Sequence, residues 1–285
     1  MTLDEATRRL GEAGIDSPRA EARLLLAHVL GVSREATLSA QPTPEQAAAY
    51  AAAIARRAAR EPFAYITGRK EFWSLEFEVG PGVLVPRPDT ETLLEEAIRL
   101  TPDRGASLRI ADLGAGSGAI LCAALTEFPN AAGVGFESSP QAFGYASRNA
   151  AQLIGARAQI IEADWDTATG PFDLVFSNPP YIPSATIESL DPDVARFEPI
   201  AALDGGPDGL QAYRALGRLL PRILALGGHA LLEIGIGQAG AMGTLFPGLE
   251  LVRIAPDLGG IPRCVVLKKH QISLKKAGAV VTFGP

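Results

Sequence analysis

The chain has 285 residues, of which 47% are hydrophobic and 20% charged, with a formal net charge of −6. That length exceeds one ordinary core and suits two domains, and the composition allows a sizeable core without staples. The acidic balance excludes a general attraction to phosphate backbones, no run approaches the ~18 apolar residues of a membrane span, and residues 1–20, with Asp4, Glu5 and Glu12, carry no signal-peptide pattern.

The first 60 residues read as helices. Thr2 and Glu5 stand at capping-box spacing, as do Thr43 and Gln46. Ser17 is the expected cap before Pro18, and Gly31 the expected stop of the same helix. An alanine-rich helix then runs to Arg60. Its Arg56, Arg57 and Arg60 read as a solvated face or a contact to an acceptor protein. Residues 1–72 are thus expected to form a small all-α domain. Aromatic and branched residues over 72–85 predict two strands around Gly80-Pro81-Gly82, so 73–88 reads as a β-hairpin linker. A helix follows over 89–100.

From residue 108 the pattern alternates. Strands are expected over 108–113, 132–136, 158–161, 172–176, 229–234, 251–254 and 263–267. Helices are expected over 119–128, 140–154 and 210–226. This rhythm predicts a mostly parallel, doubly wound sheet filling residues 89–270. Residues 271–285 form a tail outside it. Cys122 and Cys264 read as reduced core thiols of a cytoplasmic protein. Together with His28, His229 and His270 they show no metal-ligand spacing, so no metal is expected.

Chemistry enters at Asp112-Leu113-Gly114-Ala115-Gly116-Ser117-Gly118, between a strand and a helix. The glycines let the backbone approach a ligand, and the helix start offers free N–H groups. Asp112 is expected to meet a cationic ligand group. That favours the ammonium of S-adenosylmethionine over a pyrophosphate. One strand later Glu137 is placed to accept ribose hydroxyls. After the third strand come Asp164 and Trp165. The Trp165 ring packs either on an adenine face or as an anchor of its own loop.

The next strand runs into Asn178-Pro179-Pro180-Tyr181. The prolines fix the backbone and remove donors. The Asn178 amide oxygen and the Pro179 carbonyl then converge on one NH2 group, and Tyr181 offers a ring for a planar group to stack on. This is a receptor for a planar nitrogen bearing two hydrogens. Orientation and electrostatics carry such a methyl transfer, and no histidine base is needed.

These residues resemble the amino-group and amide methyltransferases that carry an Asp/Asn-Pro-Pro-Tyr/Phe/Trp motif. The segments Pro62–Gly68, Glu71-Phe72-Trp73, Val85–Glu91, Glu198-Pro199, Ala202–Gly206, Asp208-Gly209-Leu210 and Glu233-Ile234-Gly235 with Gln238 resemble the HemK-type peptide chain release factor N5-glutamine methyltransferases. The resemblance extends to about residue 268. It implies an α/β fold, a Rossmann-like seven-stranded methyltransferase domain behind a small helical domain that engages the release factor. It implies S-adenosyl-L-methionine as cofactor and the glutamine of a Gly-Gly-Gln motif as acceptor. Carried over residue by residue, it implies that Gly114, Gly116, Gly118, Glu137, Trp165 and Asn178 contact the cofactor and that Asn178, Pro179, Pro180 and Tyr181 hold the amide. Three positions depart from the pattern: Glu137 stands where Asp is usual, Trp73 where Tyr is usual and Asp89 where Glu is usual.

The alternative enzyme is an N-methyltransferase acting on an exocyclic amine of a nucleic-acid base, which the same receptor would serve. The net charge and the lack of a basic, aromatic-interleaved segment count against a nucleic-acid partner. A catalytically silent binder is the third reading. A monomer with no membrane partner is expected.

Overall fold

The computed structural model describes residues 1–270; the expected tail over 271–285 lies outside the described residues. Three helices, α1 (Leu3–Glu12), α2 (Pro18–Leu30) and α3 (Pro44–Ala58), pack with the short α4 (Phe63–Thr67). Both expected capping boxes are made. Glu5 N–H donates to Thr2 Oγ1 while Thr2 N–H donates to Glu5, and Thr43 and Gln46 repeat the reciprocal pair. Each N-cap contributes about 1 kcal/mol. Gly31 ends α2 at φ 66°. Ser17 departs from expectation: its side chain makes no capping bond, and Pro18, with φ preset and no N–H to satisfy, starts the helix without it. Leu10, Leu25, Tyr50 and Ile54 fill this small core.

The hairpin lies earlier than expected. Its strands are β1 (Arg69–Phe72) and β2 (Leu75–Glu78), and its turn is Trp73-Ser74, with φ of 52° and 59°. Positive φ at both central residues is what a tight hairpin turn requires. Side chains steady the strained backbone: Trp73 N–H donates to Glu91 at 2.9 Å and Ser74 N–H to Glu71 at 2.6 Å. Gly80-Pro81-Gly82 comes after the hairpin. It makes a separate turn, in which Val83 N–H donates to the Gly80 carbonyl at 3.3 Å and Gly82 takes φ 92°, and a Cβ on Gly82 would also stand 2.9 Å from Gln141 Cβ.

The rest of the chain builds one layer of strands between helices. The elements are α5 (Glu91–Leu100), β3 (Arg109–Leu113), α6 (Ala119–Glu127), β4 (Ala132–Glu137), α7 (Pro140–Leu153), β5 (Ala158–Glu162), β6 (Phe172–Ser177), α8 (Pro192–Phe197), α9 (Gln211–Ile223), β7 (Leu224–Glu233), α10 (Met242–Leu245), β8 (Glu250–Pro256) and β9 (Pro262–Lys268). Strand order is β5-β4-β3-β6-β7-β9-β8. The strands β3 to β7 pair in parallel, and β9 runs antiparallel to both its neighbours. This is the expected seven-stranded, doubly wound sheet. Strand β7 starts at Leu224 rather than near 229, because Leu224 pairs with Phe172 across an irregular stretch of register.

Leu93, Leu121, Leu125 and Phe128 belong to one core cluster, and Tyr213, Leu216, Leu220 and Phe246 to another. Strand order reverses between β3 and β6, which opens a crevice at the carboxyl ends of those strands. Asn149 on α7 ties the hairpin to that crevice. It accepts from Glu78 N–H at 2.8 Å and donates to the carbonyls of Glu78 and Ser117.

The basic cluster on α3 differs from the expected solvated face. Arg57 keeps only 6% of its side-chain exposure and pairs with Glu21 at 2.5 Å and with Asp193, on α8, at 2.7 Å. Arg60 also pairs with Asp193. Two of the three arginines therefore join the helical bundle to the sheet domain, and Arg56 bonds the neighbouring Glu61.

Candidate active site

The crevice holds a cavity of about 330 Å³. Gly114, Ala115, Gly116 and Ser117 form one wall, Glu137 a second, and Asp164 and Trp165 a third. The turn is shaped by its own hydrogen bonds: Gly114 and Ala115 N–H both donate to the Phe136 carbonyl, at 2.9 and 3.0 Å. Gly114, Gly116 and Gly118 all have positive φ. A Cβ on Gly114 would meet the Trp165 ring at 3.3 Å. Trp165 packs on the core, as the anchor reading expects, and its ring also lines the cavity. Gly118 does not line the cavity. It starts α6, and its missing side chain lets that helix pass close to Ala146.

Glu137 is 9% exposed. Its two oxygens accept from Gly116 and Ser139 N–H, each at 2.8 Å. A carboxylate so held keeps lone pairs for two hydroxyls. Asp112 corrects the expectation of a direct ligand contact. It lies fully buried beneath the glycine turn, does not line the cavity, and neither of its oxygens has a hydrogen-bond partner. Burial pushes its carboxyl up to about 7, and the neighbouring Glu137 charge adds to the rise. The Glu137 carboxylate on the cavity wall disfavours a pyrophosphate and suits a nucleoside carrying a cationic group. The residues present thus fit S-adenosylmethionine.

Across the crevice stands Asn178, which lines the cavity together with Pro180. Its Nδ2 donates to Thr90 Oγ1 at 3.3 Å, so Oδ1 is not the atom used there. Among the described residues no N–H or O–H donates to the Pro179 carbonyl. Pro179 and Tyr181 are not among the residues that line this cavity. The Tyr181 hydroxyl donates to Glu233 at 3.1 Å, and its carbonyl accepts from Gln238 Nε2 at 2.9 Å. Burial and the Glu233 charge hold the Tyr181 hydroxyl well above its usual range, so it stays a neutral phenol.

Several residues here had no role in the sequence reading. Thr90 and Glu233 back Asn178 and Tyr181, and their hydroxyl and carboxylate meet at 2.5 Å. Gly205 and Gly209 press against the backbone of Tyr181, where a Cβ would stand 2.8 and 2.4 Å from its atoms. Phe72, from β1, and Val83, Pro86 and Arg87, from the linker, also line the cavity. Their signal was a cluster of short motifs whose spatial meaning needs the fold. The described residues hold no grouping fit for a metal ion, and no helix among them is long and apolar enough to cross a membrane.

A cavity that welcomes a cationic nucleoside, with an amide carbonyl at its rim, defines an S-adenosylmethionine-dependent methyltransferase. Residues 2–68 match the PrmC N-terminal domain family and residues 89–190 the methyltransferase small domain family. The release factor glutamine methyltransferase of Rhodospirillum rubrum is 47% identical, over 94% of this chain and 84% of that one. The protein of the same name from Caulobacter vibrioides is 43% identical, over 94% and 95%. A solved structure, the release factor-specific protein-(glutamine-N5) methyltransferase of Alicyclobacillus acidocaldarius, is 31% identical with a TM-score of 0.41, over 68% of this chain and 100% of that chain. The chain belongs to the release factor glutamine methyltransferase family.

Proposed function

We propose that this chain transfers a methyl group from S-adenosyl-L-methionine to the side-chain amide nitrogen of the glutamine in the Gly-Gly-Gln motif of peptide chain release factors. The observation that carries the reading is the Asn178 amide: its NH2 end is engaged by Thr90, which leaves Oδ1 as the free end of a side chain that lines the cavity. A substrate NH2 needs an acceptor there, not a donor. Asn178 Oδ1 and the free Pro179 carbonyl take its two hydrogens and leave the nitrogen aimed into the cavity.

When bound, S-adenosylmethionine supplies an electrophilic methyl group and departs as a neutral thioether. Glu137 is positioned to accept its ribose hydroxyls, Trp165 to cover its base, and the glycine turn to admit its backbone contacts. Tyr181 stacks against the acceptor amide plane. Neither Tyr181, a neutral phenol, nor Glu233, engaged by two hydroxyls, serves as a base. The surplus proton leaves after transfer, when the nitrogen has become acidic. Most of the rate enhancement then rests on orientation and water exclusion. The helical domain docks the release factor, and the catalyst works as a monomer in the cytoplasm.

The test is incubation of the purified protein with S-adenosylmethionine and an unmodified release factor, followed by peptide mass spectrometry. One methyl on the Gly-Gly-Gln glutamine is expected, and Asn178→Ala should lower turnover by about 10²-fold or more, the usual cost of one oriented electrostatic partner. Unchanged turnover in Asn178→Ala sinks the receptor. Label on RNA or DNA and none on protein moves the acceptor to a base amine.

A further inference from the structure

We propose that Glu233, acting through Thr90, sets which way the Asn178 amide faces, so that both are positioning residues for the acceptor. This deepens the amide-receptor reading above and rests on it.

A primary amide fits its site in two nearly isosteric orientations. Only one suits the reaction. With Oδ1 toward the cavity Asn178 accepts from a substrate NH2; reversed, it presents NH2 against NH2. Something must hold the choice, and the hydrogen-bond chain behind Asn178 does so by polarity alone. An ionised carboxylate only accepts. The Thr90 hydroxyl, 2.5 Å from Glu233 Oε2, therefore spends its single hydrogen there. Its oxygen is left able only to accept. Asn178 must then offer Thr90 its Nδ2, which it does at 3.3 Å. The amide oxygen is thereby turned away from Thr90. Glu233 Oε1 accepts from the Tyr181 hydroxyl at 3.1 Å, so one carboxylate aligns both sides of the receptor.

Glu233 and Thr90 are 1% and 4% exposed, so water does not scramble this chain. The charge has neighbours of both signs. Arg263, on β9, favours it, while Asp89 and Asp257 share that guanidinium at 3.1 and 3.3 Å. Tyr213 donates to the Glu233 main-chain carbonyl, and Cys264 faces Glu233 across the β7–β9 pair as a neutral thiol. Burial is the largest influence and raises the Glu233 pKa, so its proton returns at higher pH than on an ordinary glutamate. A protonated Glu233 can donate to Thr90. The Thr90 hydrogen then swings to Asn178, and the amide reverses. Acceptor use should therefore fail as pH falls through that raised value, while cofactor affinity holds.

The experiment uses the full chain with a release factor and S-adenosylmethionine. Glu233→Gln keeps the shape but supplies a donor, and Thr90→Val keeps the shape but breaks the relay. Each should lower acceptor kcat/KM by about 10²-fold and leave cofactor affinity, by calorimetry, within about twofold. Thr90→Ser should recover at least about tenfold of what Thr90→Val loses. The acid limb of the wild-type kcat/KM profile should vanish in Glu233→Gln. Wild-type kcat/KM and an intact acid limb in Glu233→Gln, beside an inactive Asn178→Ala, overturn the relay and leave the receptor standing. Parallel loss of cofactor affinity and melting temperature in both variants also overturns it, as mere bracing. An active Asn178→Ala removes the receptor itself.

Discussion

Asp112 is the residue whose chemistry is set most fully by its place in the fold. It sits in no water, has no hydrogen-bond partner, and faces the charge of Glu137. The folded chain holds its proton to about pH 7, whereas an unfolded aspartate releases it near the usual carboxylate value. Between those values the native state binds more protons than the unfolded one. Stability is therefore lost as pH rises from about 4 to 7 and is level above that window. Asp112→Asn, which cannot ionise, should escape this loss. Its unfolding free energy should lie close to the wild type's at pH 4.5 and exceed it at pH 8, by a difference on the order of 3 kcal/mol. A gap that does not change with pH would show that Asp112 stays in one protonation state throughout. The acid's presence before the glycines was plain in the sequence. Its burial was not, because burial depends on how α6 and β4 close over β3.

Among the elements, the segment around Gly205 shows how a loop shapes a receptor. Ile182 bridges to Asp204, and Gly205 N–H donates to the Ile182 carbonyl at 2.8 Å. This lays the loop flat against Tyr181, and a Cβ on Gly205 would stand 2.8 to 2.9 Å from the backbone of Tyr181 and Gly209. Neither can yield as a side-chain tip would. Gly205→Ala should cost about 1–3 kcal/mol in chemical denaturation. It should also lower acceptor kcat/KM more than cofactor affinity. An unaffected kcat/KM would mean that Tyr181 tolerates displacement. The regular elements were legible from periodicity alone: β3 to β6 and α6 to α7 fall where the alternation places them. The hairpin did not, because Gly80-Pro81-Gly82 carries a stronger turn signal than Trp73-Ser74. Local propensity cannot know that Glu71 and Glu91 would steady the weaker turn. The site divided in the same way. Glycine turn, Glu137 and Asn178-Pro179-Pro180-Tyr181 were readable as chemistry, while Glu233, at the end of β7, and Thr90, at the start of α5, gain their role only when the fold brings both beside the end of β6.

At the scale of the whole molecule, Asp193 joins two bodies. It holds Arg57 and Arg60 of the helical bundle, and the same stretch of chain continues to Pro199, Ala201 and Ala202 on the cavity wall. Asp193→Ala should loosen the bundle and raise KM for the release factor by roughly tenfold, at about 1–2 kcal/mol of binding energy. Cofactor affinity should change less. Equal losses in both would mean that the bundle only braces the cavity. The strand order carries a consequence for how the molecule is made. Strand β9 is the last of the described strands to be synthesised, yet it lies between β7 and β8. While a ribosome is still extending the chain toward Pro262, β8 has no seat and the open side of β7 is bare, with Leu231 and Glu233 lacking their partners Val266 and Cys264. Arg263, which steadies the Glu233 charge, arrives with that same strand. The surroundings of Glu233 are therefore completed only when the ribosome has extended the chain through β9, so a protein that acts on translation termination factors must itself be translated through every other described strand before that side of its receptor is closed.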